Sequence, residues 1–244
     1  MENPQQRLRS RQEEIARRLR TCPLFLDWPA DRLRELAGQA RMRRHPRGMA
    51  LATRESQRRE TLVVVSGSVE ISATNPGGDK YTLAVLGPGQ ITGLVFLLDD
   101  IPARFTRHAR EDSQIIHIPC AALRQVLDAE PILWRGVAQL TLRRHFLDIE
   151  GLEGQVLGPL RRRIAVILLN LAHSYGERHA EIAPRHTELR VSQADLSNML
   201  GVSRQTISKE LAALRDEGIL GDSDGYRQIT LLDMPGLLRI AGEN

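Results

Sequence analysis

The chain has 244 residues, 41% of them hydrophobic and 26% charged, with a formal net charge of +4. That length supports one or two domains with a core in each, and the composition excludes wholesale disorder. No apolar run approaches the ~20 residues that span a bilayer, the N-terminal stretch is too polar for a secretory leader, and two cysteines, Cys22 and Cys120, cannot build a disulfide framework. The cytoplasm is therefore the expected compartment, with no membrane partner. Of 34 basic residues 32 are arginine. Coding bias accounts for that, and so does recognition of phosphate and guanine. Charge alone does not separate the two.

In chain order, residues 1–45 read as helix, with Leu33, Leu36 and Ala37 at helical spacing. Residues 46–120 change period. Short apolar runs (Met49–Leu51, Leu62–Val65, Val69–Ile71, Tyr81–Leu86, Ile115–Ile118) alternate with turn signals such as Ser66-Gly67-Ser68 and Gly87-Pro88-Gly89. Such spacing predicts an antiparallel sandwich or barrel, with a hairpin tip at 75–79. Residues 121–157 return to helix. Leu133, Val137, Leu140, Arg144 and Leu147 follow a 4-3-4-3 progression, which predicts a two-heptad dimer seam. Gly151, Gly154 and Gly158-Pro159 are poor helix and predict a hinge. A helix carrying Ile164, Ile167, Leu168 and Leu171 opens the last domain. A β-hairpin is expected from Ile219-Leu220, through a turn at 222–225, to Gln228–Leu231.

The strongest local signal runs from Ser192 to Lys209. Ser192 is placed to cap a helix, with Asp195 as its capping-box partner. Gly201 permits a tight turn, Val202 plugs the angle, and Ser203 caps a second helix. On that helix Ile207, Leu211 and Leu214 repeat at i, i+4, i+7 and must be buried. Its opposite face carries Arg204, Gln205, Ser208 and Lys209. Two short helices joined by a glycine turn make a helix-turn-helix, whose second helix offers its N-terminal polar residues to the DNA major groove. Arg204 suits guanine O6/N7 and Gln205 suits adenine N6/N7, each worth about 1–3 kcal/mol of discrimination. Ser203, Thr206 and Lys209 suit phosphates, and Ser192 and Ser208 complete the set of candidate DNA-binding residues. Residues 187–220 hold four basic and five acidic side chains, so one copy lacks a cationic stripe. A second copy, supplied by a homodimer, predicts a two-fold symmetric site on double-stranded DNA.

With these motifs the chain resembles the CRP/FNR family of bacterial transcription regulators. The resemblance is carried by Val65-Ser-Gly-Ser-Val69, Leu86-Gly-Pro-Gly-Gln-Ile-Thr-Gly93, Pro131-Ile-Leu, Arg163-Ile164, Leu168-Leu-Asn-Leu-Ala172 and Gly201-Val-Ser-Arg-Gln-Thr206. It runs from about Pro23 to Leu232. It implies an α+β chain in three parts. An N-terminal antiparallel β-roll of the cyclic-nucleotide-binding type occupies 1–130, a long dimerisation helix 131–157, and a winged helix-turn-helix 158–244. It also implies effector-controlled DNA binding, with RNA polymerase as a further partner if the protein activates.

The effector pocket that the resemblance implies departs from the cyclic-AMP pattern. Leu94 follows Gly93 where the family carries a ribose-binding Glu. Arg104 stands at the phosphate position, but Phe105 replaces a small hydroxyl residue. Asp148-Ile149 replaces the adenine-touching Thr-Ser pair. A ribose hydroxyl without a partner costs about 1–3 kcal/mol, so the expectation is a more apolar pocket and an effector other than ordinary cyclic AMP. An iron–sulfur cluster lacks its N-terminal cysteines. Haem remains an alternative, with His108, His117 and His145 as candidate ligands. A redox thiol at Cys22 or Cys120, or no ligand at all, are the others. No nucleotide-hydrolysis, zinc-protease or nucleophile-elbow motif is present, so an enzyme is not expected, nor a metal site.

Overall fold

The expected helical segment 1–45 breaks into four pieces in the computed structural model. These are α1 (Pro4–Leu19), a 3-10 turn (Pro23–Phe25), α2 (Ala30–Gln39) and strand β1 (Arg41–His45). The structure describes residues 4–52, 59–74, 80–98, 104–176, 187–189, 191–221 and 228–242. The side chains of Pro4, Asp148, residues 150–157 and residues 173–176 lie outside that description. The expected hairpin tip at 75–79 and wing turn at 222–225 fall outside it too. Arginine-rich β1 is strand because it pairs along its whole length with β8 (Ser113–Pro119), from Arg41 opposite His117 to His45 opposite Ser113. Tertiary pairing overrides the local helical preference of arginine.

The chain divides into two compact units, residues 1–73 with 84–143 and residues 74–83 with 144–244. In the first, β3 (Glu60–Ser66) and β6 (Ile91–Thr92) complete a sheet of order β1-β8-β3-β6. A second sheet has the order β2-β7-β4-β5, built from β2 (Ala50–Ala52), β4 (Val69–Thr74), β5 (Lys80–Leu86) and β7 (Thr106–Ala109). The short β6 and β7 were not among the expected runs. Side chains alternate across the first sheet. Val63, Val65, Ile116 and Ile118 face a core shared with Ile15, Leu19, Leu36 and, from α3 (Cys120–Ala129), Leu123 and Leu127. Leu62, Val64 and Ile115 face the second sheet and meet Val69 and Leu86.

A 3-10 turn (Pro131–Leu133) leads into α4 (Trp134–Leu157), an unbroken 24-residue helix. The expected hinge at Gly151 and Gly154 is helical, because each glycine costs only about 1 kcal/mol against alanine within a long helix. The break comes at Gly158-Pro159, where proline disfavours the helical conformation of the residue before it. Of the expected seam positions, Leu133 and Val137 sit in the first unit's own core and Leu140 packs against it. Arg144 is half-buried. Among the described residues of α4, the large apolar side chains that are exposed are Leu142 (67%), Phe146 (62%), Ile149 (50%) and Leu147 (48%).

The second unit contains α5 (Leu160–Gly176), β9 (Thr187–Leu189), α6 (Gln193–Leu200), α7 (Arg204–Asp216), β10 (Ile229–Leu231) and α8 (Met234–Ala241). The expected wing pairing is present beside the described strands. Leu220 bridges Leu231 antiparallel, Gly221 N–H donates to the Thr230 carbonyl at 2.8 Å and Leu232 N–H to the Ile219 carbonyl at 3.0 Å, and β10 also pairs along its length with β9. Among the described residues no helix is long and apolar enough to cross a membrane.

Gly93 links β6 to a 3-10 helix (Leu94–Leu97) at φ 93°, and a Cβ there would lie 2.5 Å from the Glu60 carbonyl oxygen. Backbone cannot yield as a side chain does. Gly93→Ala is expected to cost about 2 kcal/mol or more, lowering the melting temperature by about 4–8 °C. An unchanged melting curve contradicts this reading of the turn.

Candidate nucleic-acid interface and inter-sheet cavity

The helix-turn-helix is built from its caps inward. Ser192 Oγ accepts from the Asp195 backbone N–H at 3.1 Å, and the Asp195 carboxylate accepts from the Ser192 N–H at 2.8 Å. This is a complete capping box on α6. Leu196, Met199 and Leu200 are buried behind it. Gly201 ends α6 at φ 66° in open space, so the backbone conformation, not crowding, calls for glycine. Val202 is only half-buried, so its role as a plug is partial. Its carbonyl accepts from Ser197 Oγ and ties the turn to α6. Ser203 then caps α7, accepting from the Thr206 N–H at 3.1 Å.

Ile207, Leu211 and Leu214 are fully buried. That fixes the rotation of α7 and turns Ser203, Arg204, Gln205, Thr206 and Lys209 to the exposed side, with Ser208 half-exposed. Ser192, at the start of α6, is half-buried. Around this core Arg163 Nη2 donates to the Leu200 carbonyl at 2.8 Å, and Arg161 pairs with Glu217. Asp233 caps α8 through the Gly236 N–H at 2.9 Å. α8 carried no signal that the sequence reading used, although Asp233-Met234-Pro235 is a helix start.

The expected effector residues fall on separate elements. Gly93 and half-buried Leu94 start the 3-10 helix, while Arg104 and Phe105 are both exposed. Ile149 is exposed on α4, and the Asp148 side chain lies outside the described residues. A cavity of about 210 Å³ lies between the two sheets, and Gly93, Leu94, Arg104, Phe105 and Ile149 are not among its described lining residues. Its walls include Arg41, Arg43, His45, Glu60, Arg107 and His117, together with Leu51, Leu62 and Phe96. The interior is therefore charged, where an apolar pocket was expected. One sequence signal pointed there: the alternation Arg41, Arg43, His45, which places three polar groups on one face of β1.

Glu60 organises one wall. Its carboxylate pairs with Arg41 and accepts from His117 Nδ1 at 2.9 Å, and His117 Nε2 lies 2.9 Å from His45 Nε2. Desolvation holds both imidazoles below the ordinary histidine pKa. For His45 the neighbouring His117 and then Arg43 add to it; for His117 the Glu60 hydrogen bond opposes it without overcoming it. With Nδ1–H donated to Glu60, His117 Nε2 is the acceptor and His45 the donor. Both His117 nitrogens are thus engaged. His108 alternates with Arg107 on β7 and does not line the cavity, and His145 is exposed on α4. The residues present do not fit a haem in this cavity. Among the described residues no cluster of three or more His, Cys, Asp or Glu is placed to hold a metal ion. Cys22 and Cys120 are both buried, and burial pushes the Cys120 thiol up, away from a reactive thiolate.

An antiparallel roll and a capped helix-turn-helix thus stand in one chain. Residues 42–130 match the family model described as "Cyclic nucleotide-binding domain", and residues 162–240 match "Crp-like helix-turn-helix domain". The chain belongs to the CRP/FNR family of transcription regulators, which are not enzymes. It is 26% identical over 220 residues to the "Cyclic AMP receptor protein" of Thermus thermophilus, covering 88% of this chain and 97% of that one. It is 25% identical over 200 residues to the "Fumarate and nitrate reduction regulatory protein" of Vibrio cholerae, covering 80% and 76%. A crystal structure of a CRP-family regulator from Thermus thermophilus superposes with a TM-score of 0.64 at 25% identity, covering 82% of this chain and 97% of that one.

Two neutral buried histidines make stability depend on pH. Below their ordinary pKa of about 6.5 the unfolded chain binds protons that the folded roll does not, so stability falls as pH drops through and below that value. Urea melts at pH 7.5 and pH 5.5 are expected to show a lower midpoint in acid, and His45→Asn is expected to reduce the difference. An equal loss in wild type and variant contradicts the assignment.

Proposed function

We propose that the protein is a homodimeric, sequence-specific DNA-binding transcription regulator acting in the cytoplasm on a palindromic site. The single observation that carries this reading is the division of α7. Its buried row Ile207–Leu211–Leu214 leaves Arg204, Gln205 and Lys209 exposed at the N-terminal end, where a reading helix meets base edges. In this reading Arg204 and Gln205 contact bases, while Ser192, Ser203, Thr206, Ser208 and Lys209 position the helix on phosphates and sugars. The two half-sites lie about 34–36 Å apart, one turn of DNA. Gln205 favours an adenine in each half-site. RNA polymerase is a further partner where the protein activates.

Residues 1–130 serve as the effector domain, 131–157 as the dimer helix and 158–244 as the DNA-binding domain. The seam is carried by the exposed row Leu142, Phe146 and Ile149, which repeats 4-3 along α4, with Leu147 beside it. Leu133, Val137 and Leu140 serve the fold, because they are packed within their own unit. Gly158-Pro159 is the joint about which an effector shifts the population of DNA-binding arrangements. The Thermus relative is named for cyclic AMP. In this chain exposed Arg104 and Phe105, with Leu94 in place of a carboxylate, support an effector other than ordinary cyclic AMP.

Selection from random DNA is expected to recover a palindrome. Arg204→Ala is expected to weaken binding to it about tenfold or more, with discrimination relaxed at one position per half-site. Uniform weakening on every sequence contradicts a base contact. Phe146→Glu is expected to convert the dimer to a monomer in sedimentation without changing the melting of the roll. A Phe146→Glu chain that stays dimeric contradicts the seam.

A further inference from the structure

Among the described residues, the inter-sheet cavity contains a cation with no carboxylate partner. Arg107 is 6% exposed. A guanidinium carries five N–H donors. Nε–H is donated to Thr92 Oγ1 at 3.2 Å, and among the described residues the donors on Nη1 and Nη2 meet no acceptor and no carboxylate. Phe96 lies 5.3 Å beneath the guanidinium and attracts it through the ring quadrupole, but it accepts no hydrogen bond of ordinary strength. Glu60, the carboxylate in the cavity wall, is already held by Arg41 and His117. Arg41 and Arg43 line the same space. Among the described lining residues three arginines therefore stand against one carboxylate, an excess of positive charge. Buried charges in folded proteins are ordinarily paired, and the open fork of an arginine is shaped for two oxygens of one anion.

We propose that this cavity binds the oxyanion group, carboxylate or phosphate, of a small ligand bidentately on Arg107, and that this ligand is the regulator's effector. The anchor is distinct from exposed Arg104. Phe96 and Leu62 supply an apolar wall for the rest of the ligand. A volume of about 210 Å³ suits a compact molecule. Calling the ligand an effector rests on the regulator reading above; the binding itself does not.

Calorimetric titration of the full-length protein with benzoate, succinate, inorganic phosphate and cyclic AMP tests the site. Saturable binding of a carboxylate or of phosphate, one per chain, is expected, and the probe that binds tells the two head groups apart. Arg107→Met is expected to weaken it at least tenfold, and Arg107→Lys less. Arg104→Ala is expected to leave it unchanged, and Ala52→Phe to block the cavity with the guanidinium intact. If Arg107→Met does not fold, Arg107→Lys and Ala52→Phe decide. The proposal is overturned if none of the three simple anions binds in the millimolar range, or if binding survives both Arg107→Lys and Ala52→Phe undiminished. It is also overturned if cyclic AMP binds through Arg104 independently of Arg107. Failure here with a selected palindrome still bound overturns the anion site alone. Anion binding without site-specific DNA binding overturns the regulator reading alone.

Discussion

Burial of three side chains, Ile207, Leu211 and Leu214, is the constraint on which the proposed function depends. They lock the rotation of one short helix against its own domain. Everything chemical about the reading head follows from that lock, since the same rotation that hides the three aliphatic groups presents Arg204 and Gln205 outward. The caps set where the helix begins. Ser203 holds the first turn and the Ser192–Asp195 box holds its partner helix, so the polar residues emerge within one turn of the N-terminus. The positive end of the helix dipole adds a modest attraction for phosphate at that end.

The roll solves a different problem. It keeps one face of its first sheet dry against helices and opens the other onto the second sheet. Into that inter-sheet space it places arginines, a carboxylate and two imidazoles. Most of these satisfy one another, in the order Arg41, Glu60, His117, His45. Arg107 stands apart, held among the described residues by Thr92 and the Phe96 ring. A desolvated guanidinium of that kind is costly to leave unanswered, and that cost makes the cavity responsive to whatever anion enters it.

The reading head was the most legible part of the sequence, because capping chemistry, a turn glycine and a three-residue buried period are all local. The roll's architecture was legible from its short runs and turns, but β1, β6 and β7 were not. Those strands owe their state to partners far away in sequence, as Arg41–His45 shows beside β8. The long helix was legible, yet the first three residues of the heptad row read there, Leu133, Val137 and Leu140, face inward. Periodicity identifies an apolar stripe but not which body covers it, and here Leu133 and Val137 are covered by their own unit. The cavity was missed for a similar reason: Glu60, Arg107 and His117 meet only when three strands are assembled.

Hydroxyl-radical footprinting of the full-length protein on its selected site tests the central claim most directly. Two equivalent protected patches on one face of the duplex, centred one helical turn apart, are what a symmetric pair of α7 helices produces. A single patch, or two patches on opposite faces of the duplex, contradicts it.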